Sequence, residues 1–262
     1  MTTLSAILSY LAALNPRGAL GSDEGLLFGA PNAEARKLIV CWMADEPAIR
    51  HAIAIGADAI LAHEALFYPY GVLEEGKAPD FLSWETNRAR LRLLAAHGIS
   101  VIRAHGTLDC LCVFDAFAEL LGLGAPVQAV DDMLNIHEIE PMPYGALVEQ
   151  VKRRVGLEAL RATHGDPNRL VRRVGLPAGG LGLFVNVACQ QKLIAHGCDV
   201  LIAGEADNYG FRFASGAGID MIETGHETSE NPGLRQFARQ LTEAFPQIEI
   251  DFYENQPPFC IV

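Results

Sequence analysis

The sequence has too little positive charge to suit a nucleic acid or an anionic membrane. Lysine and arginine total 20 against 32 for aspartate and glutamate, which leaves a net charge of −12 over 262 residues. Both of those partners require a positive protein surface. No nucleic acid and no membrane is therefore expected as a partner, whereas an acidic chain is compatible with a site that concentrates metal cations.

The chain also lacks the features of membrane and secreted proteins. The longest stretch without a charged residue, 174–191, is interrupted by Pro177 and Asn186, so no membrane span is expected. The first residues carry no Lys or Arg, and their apolar side chains follow helical spacing, which predicts an amphipathic helix instead of a signal peptide. None of the six cysteines forms a CxxC pair. Reduced thiols in a cytoplasmic protein are favoured over a disulfide framework.

The usual phosphate-binding motifs are missing as well. The segment GLPAGGLG, 175–182, follows an apolar strand and precedes a helix, but it lacks the glycine spacing of a dinucleotide fingerprint and the GK[ST] of a P-loop. It predicts a tight turn with a close approach of the backbone. An anion held by the backbone N–H groups of this turn is the alternative.

Hydrophobic residues make up 50% of the chain, which is enough for the core of one large domain or of two modest ones.

One sequence pattern occurs four times in the chain. Each copy consists of a helix, a glycine, four or five mostly apolar residues and then polar residues. The glycine is typical of a helix end, and the apolar run is typical of a strand buried on both faces of a parallel sheet. The copies lie at 52–65, 94–109, 194–206 and 215–230, and helical spacing marks 46–55, 85–97, 184–196, 208–216 and 232–244.

This alternation predicts an α/β fold with mostly parallel sheets. The first and third copies share five residues in register, GADAILAHEA against GCDVLIAGEA. We therefore expect two similar α/β lobes, 1–125 and 126–262, with the boundary inside 123–145. Chance similarity between two short buried strands is the alternative. The first lobe would carry an HE and an HxxxD motif, and the second a GE and an HxxxE motif.

Chemistry-bearing side chains gather where the four predicted strands end. Because ligands of parallel α/β sheets bind beyond the carboxyl ends of the strands, these side chains predict a site, placed between the two lobes. Imidazole and carboxylate together suit zinc, manganese, iron, nickel or cobalt, and this many carboxylates could hold two ions about 3.5–4 Å apart. The residues are His63, Glu64, His105, Asp109, Glu205, His226 and Glu230.

Simpler structural roles also suit several of these residues and other histidines of the chain. His97 and His196 precede the glycine of their copies and are expected to favour a helix C-terminus. Glu230 could complement the N-terminus of a helix that starts at Pro232. His63 and Glu64 alone would suit a structural role, and only the combination with 105–109 and 226–230 favours a metal site. Three histidines outside the motifs are expected to be surface or half-buried residues: His51, His137 and His164.

The same segments resemble a known family. The stretch GADAILAHEALFY, 56–68, is similar to the strand and His-His segment of the Ngg-interacting-factor-three-like proteins, also called GTP cyclohydrolase I type 2 homologues. RAHGTLD, 103–109, resembles their second motif, and IAGEADNY with ETGHETSE resembles their C-terminal pair. SDEGLLFG, 22–29, resembles their Asn-Gly-Leu turn, with Glu24 in place of Asn. The order and spacing agree over nearly the whole chain.

The resemblance implies a dinuclear centre with two divalent ions per chain, in a homohexamer built as a trimer of dimers. Asp109 would bridge the ions, and His105 would lie beside them as a catalytic proton shuttle or as a group that orients a ligand. One departure is Glu64, which stands where the family usually has a second histidine. The ligands implied by position are His63, Glu64, Asp109, His226 and Glu230.

The function implied is that of a metal-dependent hydrolase that acts on a small molecule, in the manner of a GTP cyclohydrolase. In such an enzyme the ions would lower the pKa of a water molecule that attacks the substrate. The alternative is a metal-binding regulatory or scaffold ring without turnover.

Overall fold

The protein is described here by a computed structural model that covers residues 2–70 and 80–260. The helices are α1 (Leu4–Leu14), α2 (Glu46–Ile55), α3 (Glu85–His97), α4 (Phe114–Leu121), α5 (Tyr144–Val155), α6 (Val187–Ala195), α7 (Asn208–Gly216) and α8 (His226–Ala244). The strands are β1 (Gly25–Phe28), β2 (Lys37–Cys41), β3 (Ala59–Ala62), β4 (Ser100–Arg103), β5 (Gln128–Ala129), β6 (Asn135–Pro143), β7 (Arg161–Ala162), β8 (Leu170–Gly175), β9 (Val200–Ala203), β10 (Asp220–Glu223) and β11 (Glu249–Tyr253).

The predicted α/β fold is confirmed, with one sheet in each of two compact units. The first unit takes the chain up to Cys112 together with Gly233–Asn255, and the second takes Val113–Pro232 and the stretch from Gln256 onwards. The expected lobes of 1–125 and 126–262 differ from these ranges. The difference arises because β11 pairs in parallel with β2 and so returns the end of the chain to the first sheet.

The two sheets repeat one topology. The first has the order β1-β4-β3-β2-β11 and the second β5-β6-β8-β9-β10-β7. In each, three parallel strands follow one another in chain order, β2 to β4 and β8 to β10, and the strand before them pairs antiparallel with the last of the three. The second sheet is mixed and not mostly parallel, because β5, β6 and β7 all join it antiparallel.

Each of the four predicted apolar runs forms a strand, and all four residues of each strand are buried. These strands are β3, β4, β9 and β10. The helix before β3 ends at Gly56 and the one before β9 is followed by Gly197, with φ angles of 70° and 82°. Only glycine adopts such angles readily. Side chains from these strands build a core in each unit, around Ile60 and Val101 in the first and Leu201 and Met221 in the second.

The shared aspartate of the first and third copies has the same role in both units. One carboxylate oxygen of Asp58 accepts hydrogen bonds from the backbone N–H groups of Arg36 and Lys37, at 2.8 and 3.1 Å. One of Asp199 accepts from those of Arg172 and Arg173, at 2.7 and 2.8 Å. Each aspartate thus holds the neighbouring strand, β2 or β8, just before its first residue that pairs with β3 or β9, Leu38 or Val174. This agreement supports two similar lobes beyond a chance match of sequence.

Most helix predictions are confirmed, and one is wrong. The predictions 46–55, 85–97 and 208–216 match α2, α3 and α7 in full, and α1 is the expected N-terminal helix, with Leu4, Ile7 and Leu11 buried. The last helix was expected to begin at Pro232, but α8 begins at His226 and contains Pro232. Glu230 therefore lies inside α8 and not at an N-terminal cap. In residues 2–70 and 80–260, no helix has both the length and the apolar composition needed to cross a membrane.

Candidate metal centre

His63 lies directly after β3 with its ring turned into the protein. Its backbone N–H donates to the carbonyl oxygens of Cys41 and Trp42, at 3.2 and 3.0 Å, and the side chain is fully buried. Nδ1 lies 3.1 Å from the carbonyl oxygen of Ala104. A carbonyl can only accept, so Nδ1 carries a proton, and in the neutral ring Nε2 then presents its lone pair, which is the tautomer that binds a metal.

Asp109 faces that lone pair. It begins a π-helical turn, Asp109–Val113, between the short helical turn Gly106–Leu108 and α4; such turns are frequent at functional sites. Its Oδ1 lies 3.3 Å from Nε2 of His63. Both atoms are acceptors in these states, and two ligands of one ion, each bonded at about 2.0–2.2 Å, lie roughly 3–3.4 Å apart. The pair therefore fits a shared metal ion.

His105 completes this group from the loop after β4. Its Nε2 lies 3.9 Å from Oδ2 of Asp109, and its ring centre is 4.9 Å from that of His63. One ligand atom from each of the three residues lies within 4.8 Å of the others. The first unit thus brings together three residues that the sequence singled out.

Asp23 orients His105, and sequence reasoning missed it. Its Oδ2 lies 2.8 Å from Nδ1 of His105, which leaves Nε2 towards Asp109. The hydrogen bond from His105 is the main cause that lowers the pKa of Asp23, ahead of the opposing effect of burial. An ionised carboxylate behind a metal-binding imidazole fixes its tautomer and raises its basicity.

Glu24 secures the loop that carries His105 and was noted only as a departure from the family. One of its carboxylate oxygens accepts from the backbone N–H groups of His105 and Thr107, at 2.7 and 2.9 Å. The other accepts from the Thr107 hydroxyl and the Gly21 N–H, at 2.8 and 2.6 Å. The antiparallel pairing of β1 with β4 brings this acidic turn to the site, and no local pattern of the sequence reveals that pairing.

Arg103, the last residue of β4, is a further charged group that sequence reasoning missed. It is 1% exposed. Its Nε donates to the carbonyl oxygen of His63 at 3.1 Å, and Nη2 donates to the Tyr70 hydroxyl at 2.6 Å. Nη1 lies 3.2 Å from Oδ2 of Asp23, and Nη2 lies 3.8 Å from Oε2 of Glu64.

Glu64 is buried beside this guanidinium. Glu64 also affects the neighbouring hydroxyl of Tyr70, whose pKa is raised to about 12. Burial is the main cause of this increase, Glu64 adds to it, and Arg103 opposes it. The structure therefore places Glu64 next to a cation that belongs to the protein itself.

The second unit holds a similar arrangement around His226, the first residue of α8. Its Nδ1 lies 2.9 Å from Oε2 of Glu205, and its Nε2 lies 3.3 Å from Oε1 of Glu230. The hydrogen bond from His226 is the main cause that lowers the pKa of Glu205. Glu205 thus orients the imidazole while Glu230 faces its other nitrogen, Nε2, as Asp109 faces Nε2 of His63.

The GLPAGGLG segment forms a tight turn at Gly179–Gly182, as the sequence predicted, and the backbone of this turn lies against His226 and Glu230. A Cβ atom at Gly179 would lie 2.0 Å from Oε1 of Glu230, and one at Gly180 would lie 3.1 Å from Cε1 of His226. The Gly179 N–H donates to the Ser229 hydroxyl oxygen at 3.0 Å. Larger residues at these two positions would displace both side chains.

The histidines outside the motifs are mostly as expected. His196 follows α6 and its Nδ1 lies 2.8 Å from the Lys192 carbonyl oxygen, which confirms its capping role. His51 is half-buried and contacts Asp251 at 2.8 Å. His137 was expected near the surface but is buried in β6, where its Nδ1 lies 3.0 Å from the Gly124 carbonyl oxygen.

Comparison with known proteins identifies relatives over most of the chain. A sequence model of the Duf34/NIF3 (NGG1p interacting factor 3) family matches residues 2–258. A GTP cyclohydrolase 1 type 2 homolog of Neisseria meningitidis is 26% identical over 84% of this chain and 85% of its own. One of Lactococcus lactis is 28% identical over 90% and 88%, and one of Escherichia coli K12 is 27% identical over 79% and 80%.

Solved structures show the same fold. A protein ybgI of unknown function superposes with a TM-score of 0.81 at 22% identity, over 98% of this chain and 100% of its own. A Bacillus cereus protein related to NIF3 gives 0.80 at 17% identity, over 100% and 99%.

Proposed function

The chain belongs to the Duf34/NIF3 (NGG1p interacting factor 3) family, and from that premise we propose that it binds divalent metal ions and uses them to hydrolyse a small molecule. The single observation that carries the proposal is the buried pair of His63 and Asp109, with Nε2 and Oδ1 held 3.3 Å apart. In the neutral ring, the bond from Nδ1 to Ala104 leaves Nε2 as the nitrogen that can bind an ion.

The proposed ligands are those that the geometry of each unit supports. His63 and Asp109 would hold an ion in the first unit, and His226 and Glu230 would do so in the second. The resemblance implies that both pairs serve one dinuclear centre of Zn, Mn, Fe, Ni or Co, which stays a prediction. Glu64, the fifth ligand implied by the resemblance, is considered in the next section.

An ion at this site would supply Lewis acidity, which activates water for attack on a carbonyl, imine or phosphoryl group. The chain's own residues would accept the proton that the water molecule loses. Nε2 of His105 can accept one, and the Asp23 carboxylate at 2.8 Å from Nδ1 would stabilise the imidazolium that forms. We propose His105 as a catalytic base in this sense.

Metal analysis of protein purified without chelator tests the proposal. We expect a first-row transition metal in the parent, and at least about tenfold less in His63→Ala and Asp109→Asn variants that remain folded. His196→Ala, which removes only a helix cap, is the matched control and should keep the metal. A parent protein that neither contains nor takes up such a metal would refute the proposal.

The relatives are named GTP cyclohydrolase 1 type 2 homologs, which makes GTP the first substrate to assay, beside other nucleotides and phosphoesters. His105→Gln should retain the metal and lose turnover, since the proton acceptor is gone while the ion's ligands remain. A metal-loaded parent without turnover on any of these would instead favour a regulatory or scaffold ring. We further propose that the protein works in the cytoplasm as a homohexamer, a trimer of dimers.

A further inference from the structure

A buried arginine lies where a metal-binding site would ordinarily avoid a positive charge. Arg103 follows Val101 and Ile102 in β4, and its guanidinium contacts the loop of His63, the carboxylate of Asp23 and the hydroxyl of Tyr70. A guanidinium stays protonated at any pH that a folded protein tolerates. Its charge is therefore a permanent part of the first unit.

The second unit carries a negative charge at the position that corresponds to Arg103. β10 is the counterpart of β4, and it ends with Glu223, which forms an ion pair with Arg161 of the edge strand β7. In the first unit the strand ends with the cation, and the acid, Asp23, precedes the edge strand β1. The repeated topology thus does not require an arginine at this place, and its presence is particular to the first unit.

The charges around His63 explain what this arginine does. Arg103 brings a positive charge to two carboxylates of this unit, Asp23 and Glu64. Asp109, which faces His63 at 3.3 Å, is the carboxylate whose charge a metal ion would compensate. Without Arg103 the same carboxylates would attract a second cation, because buried charges must be compensated.

We infer that Arg103 takes the place of a second cation: it neutralises Glu64 and Asp23, so that the first unit holds one divalent ion, on His63 and Asp109, with Glu64 outside the ligand set. This inference rests on the proposed metal centre. The geometry behind it is the ion pair of Arg103 with Asp23 at 3.2 Å and the approach to Glu64 at 3.8 Å. In this arrangement a metal ion that approached Glu64 would meet a fixed positive charge.

Titration of the full-length, chelator-treated protein with Mn²⁺ in a calorimeter tests the inference, with the bound metal counted by elemental analysis. Arg103→Gln keeps a hydrogen-bonding side chain and removes the charge. It should bind one additional ion per chain, or bind Mn²⁺ at least about tenfold more tightly than the parent. Arg103→Lys keeps the charge and should bind as the parent does. An Arg103→Gln protein that is folded by circular dichroism and binds the same number of ions with the same affinity would overturn the inference.

A second variant decides the matter if Arg103→Gln fails to fold. Glu64→Gln should bind the first ion within about threefold of the parent, because Glu64 is not its ligand. A tenfold or greater loss of affinity in Glu64→Gln would overturn the inference. Failure of the proposed function has a different signature, namely that Asp109→Asn binds Mn²⁺ as well as the parent, or that neither protein binds it.

Discussion

In each of three histidines, Nδ1 lies against an oxygen atom and Nε2 points towards a carboxylate. The group that supplies the oxygen at Nδ1 differs among the three. His63 uses a backbone carbonyl, Ala104, whereas His105 and His226 use the carboxylates of Asp23 and Glu205. A carboxylate raises the basicity of the ring more than a carbonyl does, because it stabilises positive charge on the imidazole. The metal affinity of the second unit should therefore depend on the charge of Glu205.

Glu205→Gln tests this dependence. The amide oxygen can still accept from Nδ1, so the ring keeps its orientation and loses only the anion behind it. We expect metal affinity to fall by about 10- to 100-fold, the usual cost of losing such a partner, and a competition titration against a fluorescent chelator measures it. Glu149→Gln, on the exposed face of α5, is the control. Equal affinities in parent and Glu205→Gln would show that His226 binds no metal.

At the scale of secondary-structure elements, the sequence predicted the features that depend only on neighbouring residues. The glycines at the ends of helices are visible in the sequence, and so are the four buried strands. The start of α8 is not, since a proline is favoured at the first helical position and Pro232 lies seven residues into this helix. The site residues Asp23, Glu24 and Arg103 depend on strand pairing between distant segments, which no local pattern encodes.

The paired aspartates allow a matched test of the repeated topology. Asp58→Ala and Asp199→Ala each remove an acceptor of two backbone hydrogen bonds, and each should lower the free energy of unfolding by about 1–3 kcal/mol. Urea denaturation at pH 7 measures this, with the exposed Asp132→Ala as control. A loss in only one variant would mean that the two aspartates are not equivalent.

The effect of Asp58 should also depend on pH. Burial alone would raise the pKa of Asp58, but the hydrogen bonds from Arg36 and Lys37 outweigh it and lower the pKa. A lowered folded-state pKa contributes stability that is complete above the unfolded value of about 3.9 and is lost as the pH falls through the folded value. The difference between parent and Asp58→Ala should therefore shrink in denaturation curves recorded towards pH 3.

At the scale of the whole molecule, the second unit exposes large apolar side chains close together. Phe184, Val185 and Tyr209 are 49%, 83% and 65% exposed, and the rings of Phe184 and Tyr209 are 5.4 Å apart. Exposed apolar patches mark interaction surfaces more often than isolated apolar residues do. We propose that this patch forms a subunit contact in the homohexamer that the resemblance implies.

Light scattering of the purified protein should therefore give about 170 kDa, six times the chain mass of 28.3 kDa. Val185→Glu places a charge in the middle of the patch, and burying that charge in a subunit contact would be costly. We expect this variant to give a smaller mass at micromolar concentration, with an unchanged circular dichroism spectrum. Glu158→Lys changes an exposed charge elsewhere in the second unit and should keep the mass of the parent. A monomeric parent would contradict the hexamer, whereas a hexameric Val185→Glu protein would move the subunit contacts away from this patch.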